Sequence, residues 1–227
     1  GYQEHKWQPH VLPNDYNFTT YLDKMTKWNG YKISWDFMNT FDPEDRRLQT
    51  IAYEYTNKDG VVHNEKNDRP DPSAQLYLGA VPLKYEFDPD CTGEDSQIDW
   101  IIYRYADVLT LTAEAIVRNK NAVTKEAVDL LNEVRTRSLP GKGYSLQDLN
   151  SVDKFLKAVL DERGWELYFE GNRRQDLIRY GLFVEAIKKK AQSMGKQTLV
   201  DENRYRFPIP QDIIDEGKGI IKQNPGY

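Results

Sequence analysis

The sequence predicts a mainly α fold built of helix pairs, with a loop-rich, aromatic-rich segment and small hairpins ahead of them. Three observations predict it. Apolar residues recur at helical spacing in successive stretches between residues 101 and 193. Cap and break residues punctuate those stretches. Residues 1–100 instead hold four of the five tryptophans, all three histidines and many turn formers, with little 3.6-residue period. Two regions follow: a loop-rich segment over 1–100 and a helical region over 101–227.

In the first region, 15–27 and 34–40 each read as a short helix. Residues 51–56 and 61–63, flanking Asp59-Gly60, read as a hairpin, because Asp-Gly suits the left-handed conformations of a tight turn. In the second, the stretch 103–119 places Val108, Leu111, Ala115 and Ile116 on one helical stripe. A polar turn follows, and Thr124 is an N-cap with Glu126 in the first turn. The next helix runs to about Ser138 with Ala127, Leu130, Leu131 and Val134 inward, and stops at Pro140-Gly141. Small residues Ala113, Ala115 and Ala127 at the crossing make the pair similar to a tetratricopeptide-type unit.

A third helix runs from near Ser151 to Glu170, with Gly171 as the residue that ends it. Asn172 and Gln175 have the spacing of a capping pair for the following helix. Gly181 interrupts that helix before 182–193. Beyond Gly195 the chain is irregular, since Phe207-Pro208-Ile209-Pro210 excludes helix and Asn224-Pro225-Gly226 is a turn.

The bulk properties exclude several function classes. The chain has 227 residues and a formal net charge of −5, which argues against nucleic acid as a partner. Mean hydropathy is −0.78, and no run of about 18 apolar residues offers a transmembrane helix. Cys91 stands alone, so neither an internal disulfide nor a cysteine-rich zinc site is expected. No signal peptide is read at Gly1-Tyr2-Gln3.

Glu162, Glu166 and Glu170 stand at successive i,i+4 spacing, where like charges repel unless cations answer them. Arg163, Arg173, Arg174 and Arg179, with Arg135 and Arg137, are the expected answer to the three acids and Asp176. Such a network fixes helix register more than it adds net stability. A metal reading wants Glu-x-x-His pairs, and no histidine follows His63. No metal or cofactor is expected. There is no Gly-x-Ser-x-Gly, no phosphate loop and no Gly-x-Gly-x-x-Gly. The 36 acids include no motif that singles out a glycosidase pair, so no catalytic residue is assigned.

Aromatic rings are what the first region offers. Flat rings stack on the C–H faces of sugars while amides and carboxylates meet the hydroxyls. Trp7, Trp28, Tyr31 and Trp35 are the candidate platforms, with Asn29 and Asp36 as hydrogen-bonding neighbours. The alternative is that these rings pack loops onto the helical body.

Four segments together resemble the SusD/RagB family of outer-membrane nutrient-binding lipoproteins. In 161–181 the family pattern is matched by Glu162, Arg163, Glu166, Phe169, Glu170, Gly171, Arg173, Asp176, Leu177, Arg179 and Gly181. The run 104–109, continuing to Ala113-Glu114-Ala115, is similar to the preceding family helix, and 131–137 to its partner. Phe207-Pro208-Ile209-Pro210 with 223–227 is similar to the family's end. Gly164 and Asn172 depart from it, standing where Arg and His are frequent.

The resemblance implies a non-catalytic, cell-surface protein of Bacteroidetes-type bacteria. Such a protein delivers oligosaccharides or other nutrients to a SusC-type TonB-dependent outer-membrane transporter. It further implies that this chain is the C-terminal portion of a longer protein. The missing N-terminal half would then be a partner, and a lipid anchor would sit on an N-terminal cysteine not present in this chain. The alternative from another class is a helical-repeat protein–protein scaffold without its own small ligand.

Overall fold

The computed structural model describes residues 5–16 and 22–227. The chain divides into two compact units, Gly1–Glu170 and Gly171–Tyr227. This division differs from the compositional change near residue 100.

The first unit opens with α1 (Trp7–Val11) and the one-turn α2 (Trp35–Met38). Of the helix expected over 15–27, residues 17–21 lie outside the described residues, and Leu22–Lys24 forms a single 3-10 turn. A second such turn, Arg46–Thr50, is capped by Asp45, whose side chain accepts from the Arg47 amide.

Strand β1 (Ile51–Ala52) is followed by β2 (Glu54–Thr56), β3 (Val62–Asn64), α3 (Glu65–Asp68) and β4 (Val81–Pro82). Only β2 and β3 form the hairpin, in the register Glu54↔Asn64, Tyr55↔His63 and Thr56↔Val62. The Asn57 side-chain oxygen accepts from the amides of Asp59 and Val61 and so closes its loop. The expected hairpin was too long at its start. Ile51 and Ala52 pair instead with Val81 and Pro82, and all four are buried. Burial on both faces favours a partner inside the core over a solvent-facing hairpin.

Helices α4 (Tyr105–Lys120), α5 (Lys125–Ser138) and α6 (Val152–Glu166) make the second half of this unit. The Thr124 hydroxyl caps α5 through the Ala127 amide at 3.2 Å, as expected. The short connection makes α4 and α5 a helical hairpin. With α6 they enclose a core of Ala113, Val117, Ala127, Val128, Leu131, Phe155 and Val159. A separate core gathers Val11, Leu12, Ile33, Trp35, Leu76 and Val81, with Tyr168 from the end of the unit.

Two expectations are corrected here. The buried stripe of α4 is Ala106, Leu109, Ala113 and Val117, with Asp107, Thr110 and Glu114 beside them. Val108 and Leu111 face outward, 54% and 38% exposed, and Ala115 is exposed too. The polar residues turn in because Arg163 of α6 donates to Asp107 at 2.6 Å and to Thr110 at 2.8 Å. Alanine at 106 and 113 keeps that face slim enough for close helix packing.

The third helix also ends earlier than expected, at Glu166 rather than Glu170. Arg104 and Lys84 take the Glu166 carbonyl, at 2.5 and 2.6 Å, which satisfies an orphan acceptor of the helix end. Phe169 then adopts a left-handed φ of 57°.

In the second unit, α7 (Arg173–Arg179), α8 (Phe183–Ser193), a 3-10 turn at Glu202–Tyr205 and α9 (Gln211–Glu216) follow in order. Gly171 and Gly181, at φ 87° and 69°, supply the left-handed breaks. The expected Asn172 cap does not form: its backbone is already helical and its side chain makes no cap hydrogen bond. The irregular end is held by amides. Gln223 bonds both the N–H and the carbonyl of Ile209 at 2.8 Å, and Asn224 donates to the Phe207 carbonyl at 2.8 Å.

Candidate functional site

Trp7, Trp28 and Tyr31 are brought together by backbone hydrogen bonds. The amides of Gly30 and Tyr31 both donate to the His10 carbonyl at 2.7 Å, while those of Trp28 and Asn29 donate to Pro9 and Leu12. A Cβ on residue 30 would stand 3.0 Å from the His10 oxygen, so glycine permits this close approach. Asn29 takes a left-handed φ of 51°, its side-chain Nδ2 donates to the Gln75 carbonyl and its side-chain oxygen is buried, so this predicted hydrogen-bonding neighbour turns inward.

The rings form a shelf. Trp7 and Tyr31 stack with centroids 6.1 Å apart and planes 22° from parallel. Trp100 meets Trp7 edge-on at 5.0 Å and stacks on Tyr85 at 4.8 Å. His10 lies between Trp28 at 4.6 Å and Tyr31 at 4.9 Å. The Lys6 ammonium sits 5.9 Å over Trp28. Trp28, Tyr31 and Trp100 are 37%, 52% and 40% exposed, which is high for rings already in mutual contact. Burial pushes the Tyr85 phenol up to about 12, so it serves there as a neutral group.

Trp35 and Asp36 do not join this shelf. Trp35 is 5% exposed, with its indole N–H donating to the Leu76 carbonyl at 2.9 Å, and belongs to the core. Asp36 is exposed and pairs with Arg69 at 3.1 Å. His10, Tyr85 and Trp100 were not anticipated. The available signals were the i,i+3 spacing of Trp7 and His10 in one helical turn and a tryptophan, Trp100, closing the mostly polar run 92–99.

The three glutamates lie elsewhere, buried and answered by cations. Glu162 accepts from Arg47 at 2.6 Å and from Arg135 at 3.1 Å. Glu166 is met by Arg47, Arg104 and Arg137, and Glu170 by Arg104 and Lys84. Burial pushes the Glu166 carboxyl up, but the hydrogen bond from Arg137 and the charge of Arg104 outweigh it and hold it below the ordinary carboxylate range. Burial outweighs Glu170 at Lys84, whose ammonium falls to about 8.

Of the expected cations, Arg135, Arg137 and Arg179 meet Glu162, Glu166 and Asp176, and Arg47, Arg104 and Lys84 take the other places. Arg163 serves Asp107, and Arg174 donates to the carbonyls of Arg204 and Tyr205 and stacks on Phe207. Asp176 and Arg179 pair at 2.8 Å within the second unit, where Arg173 begins α7. Among the described residues, no group of three or more His, Cys, Asp or Glu side chains is arranged to hold a metal ion.

Flat rings half open to solvent suit binding of an amphipathic neutral ligand. The chain has relatives among known proteins. The chain is 33% identical over 209 residues to SusD-like protein P2 of Formosa agariphila, covering 88% of this chain and 41% of that protein. It is 30% identical over 129 residues to the starch-binding protein SusD of Bacteroides thetaiotaomicron, covering 56% of this chain and 21% of that one. A solved SusD homolog from Bacteroides thetaiotaomicron superposes with a TM-score of 0.66 at 28% identity, covering 90% of this chain and 46% of that one. The chain therefore spans under half the length of these relatives. The SusD family pattern matches residues 7–227, from the first ring of the shelf to the last residue, and the chain belongs to that family.

Proposed function

We propose that this chain is part of a non-catalytic protein that binds oligosaccharides on the shelf of Trp7, Trp28, Tyr31 and Trp100. The observation that carries this reading is the Trp7–Tyr31 stack with its neighbours half open to solvent. Such rings present C–H-binding faces, and the exposed Lys6–Glu94 pair at 2.7 Å stands beside Trp28 for hydroxyls. The relative named as starch-binding supports glucose polymers as the first ligands to try.

Family membership supports delivery of the glycan to a SusC-type TonB-dependent transporter. It also supports a lipid-anchored place on the cell-surface side of the outer membrane. A glycan array tests the reading: binding of neutral oligosaccharides supports it, and an array without a hit counts against it. Incubation with polysaccharide should release no product.

A second reading, a helical scaffold for another protein, is favoured by the outer face of α4 and the segment before it. Ile102, Tyr103, Tyr105 and Val108 are 69%, 81%, 67% and 54% exposed there. Pull-down of a protein partner without any glycan binding would select it.

A further inference from the structure

A groove in the first unit shares no residue with the ring shelf. It encloses about 660 Å³ between α2, the 3-10 turn at Arg46–Thr50 and the β2–β3 hairpin with α3. That volume lies in the ordinary range of small-molecule sites.

Its floor is apolar, made by Met38 and Phe41 over Trp35. Tyr53 stands on its wall with 46% of its surface exposed, the one large aromatic side chain among the lining residues that is open to solvent. The rim is polar. Asn39 donates to both oxygens of Glu65 at 3.2 Å, and Asn64 donates to Glu54 at 2.9 Å.

Charge decides what fits. Glu65 is already paired with Arg69 at 2.5 Å, Glu54 takes the Asn64 amide, and Lys66 also lines the rim. The rim carries both signs, Glu54 and Glu65 against Lys66, so a charged ligand of either sign meets a like charge there. Both carboxylates nevertheless keep lone pairs beyond those their amide and guanidinium partners occupy, and these accept hydroxyl protons. A ligand with one C–H face for Tyr53 and uncharged hydroxyls for the rim satisfies every group.

We propose that this groove is a second saccharide site, taking a neutral pyranoside and separate from the shelf. The assignment of ligand class rests on the carbohydrate-binding reading above. A second, weaker site on one body raises avidity for long chains without new contacts at the first.

The test is a ¹H–¹⁵N NMR titration of the full chain with maltohexaose. It follows the side-chain amides of Asn39 and Asn64 for the groove and the indole signals of Trp7, Trp28 and Trp100 for the shelf. The expected result is saturable shifts of both sets with different affinities. Tyr53→Ala should weaken the groove set by about tenfold, which is about 1.4 kcal/mol, and leave the shelf set in place. Asn39 and Asn64 signals that stay fixed while the indoles move would overturn the second site and leave the shelf reading intact. Groove signals that move while the indoles do not would uphold the groove and contradict the shelf. Shifts of Asn39 and Asn64 that Tyr53→Ala leaves unchanged would also overturn the proposal.

Discussion

The Arg47 guanidinium reaches Glu162 at 2.6 Å across 115 residues, joining the 3-10 turn before β1 to the middle of α6. Glu162 is fully buried, and Arg47 also holds Asp45 at 2.6 Å and Glu166 at 3.2 Å. The aromatic-rich part of the first unit is thus tied to its helices by charge as well as by Tyr168 in the apolar core.

Breaking this pair strips a buried charge of one partner, leaving Glu162 to Arg135 alone or unbalancing Arg47 between Asp45 and Glu166. Arg47→Met and Glu162→Gln should each destabilise the protein by about 3–5 kcal/mol, and the double variant by much less than the sum. Urea unfolding of the four proteins checks this. Additive losses would show that the two side chains act independently.

Acid should unlock the same network. Glu166 is held below the ordinary glutamate value of 4.5, so its contribution is present above that value and is lost as pH falls through the lower folded value. Thermal melts from pH 7 to pH 3 should show a falling limb below about pH 4.5, shallower in Glu166→Gln, which starts less stable at pH 7.

Lys32 titrates in the opposite sense. Burial pushes its ammonium from 10.5 down to about 7, with one bond to the Val11 carbonyl at 2.9 Å. Between those values the unfolded chain binds more protons than the folded one, so this lysine makes stability rise with pH. Lys32→Met should be the more stable protein at pH 6, by on the order of 1 kcal/mol or more after loss of the Val11 bond, and the gap should close toward pH 10. A gap independent of pH would contradict the buried charge.

Gly79 admits no side chain. At φ 149°, a Cβ there would lie 1.8 Å from the Ile33 oxygen, beside the Ile33–Ala80 bridge that holds the segment before α2. Gly79→Ala should cost about 3 kcal/mol or more, measured by denaturant unfolding, and a change under 1 kcal/mol would show that the bridge is dispensable.

The helical half was legible where local chemistry decides it. Thr124 caps α5, Leu131 and Val134 face inward, and Gly171 and Gly181 sit at left-handed breaks. The face of α4 was not, because Asp107 and Thr110 turn inward to serve Arg163, a residue of another helix. The early end of α6 depends likewise on Arg104 and Lys84, far away in sequence. For the shelf, clustering in 27–31 pointed to Trp28 and Tyr31. Ring type alone did not separate Trp35, which the core takes, from Trp100, which joins Trp7 by tertiary packing.

Calorimetric titration of maltohexaose and other neutral oligosaccharides into wild type, Trp7→Ala and Tyr31→Ala tests the binding shelf most directly. Saturable binding by wild type, weakened about tenfold or more in each variant while their melting temperatures hold, is the predicted result. Wild-type binding that survives both substitutions unchanged would contradict it.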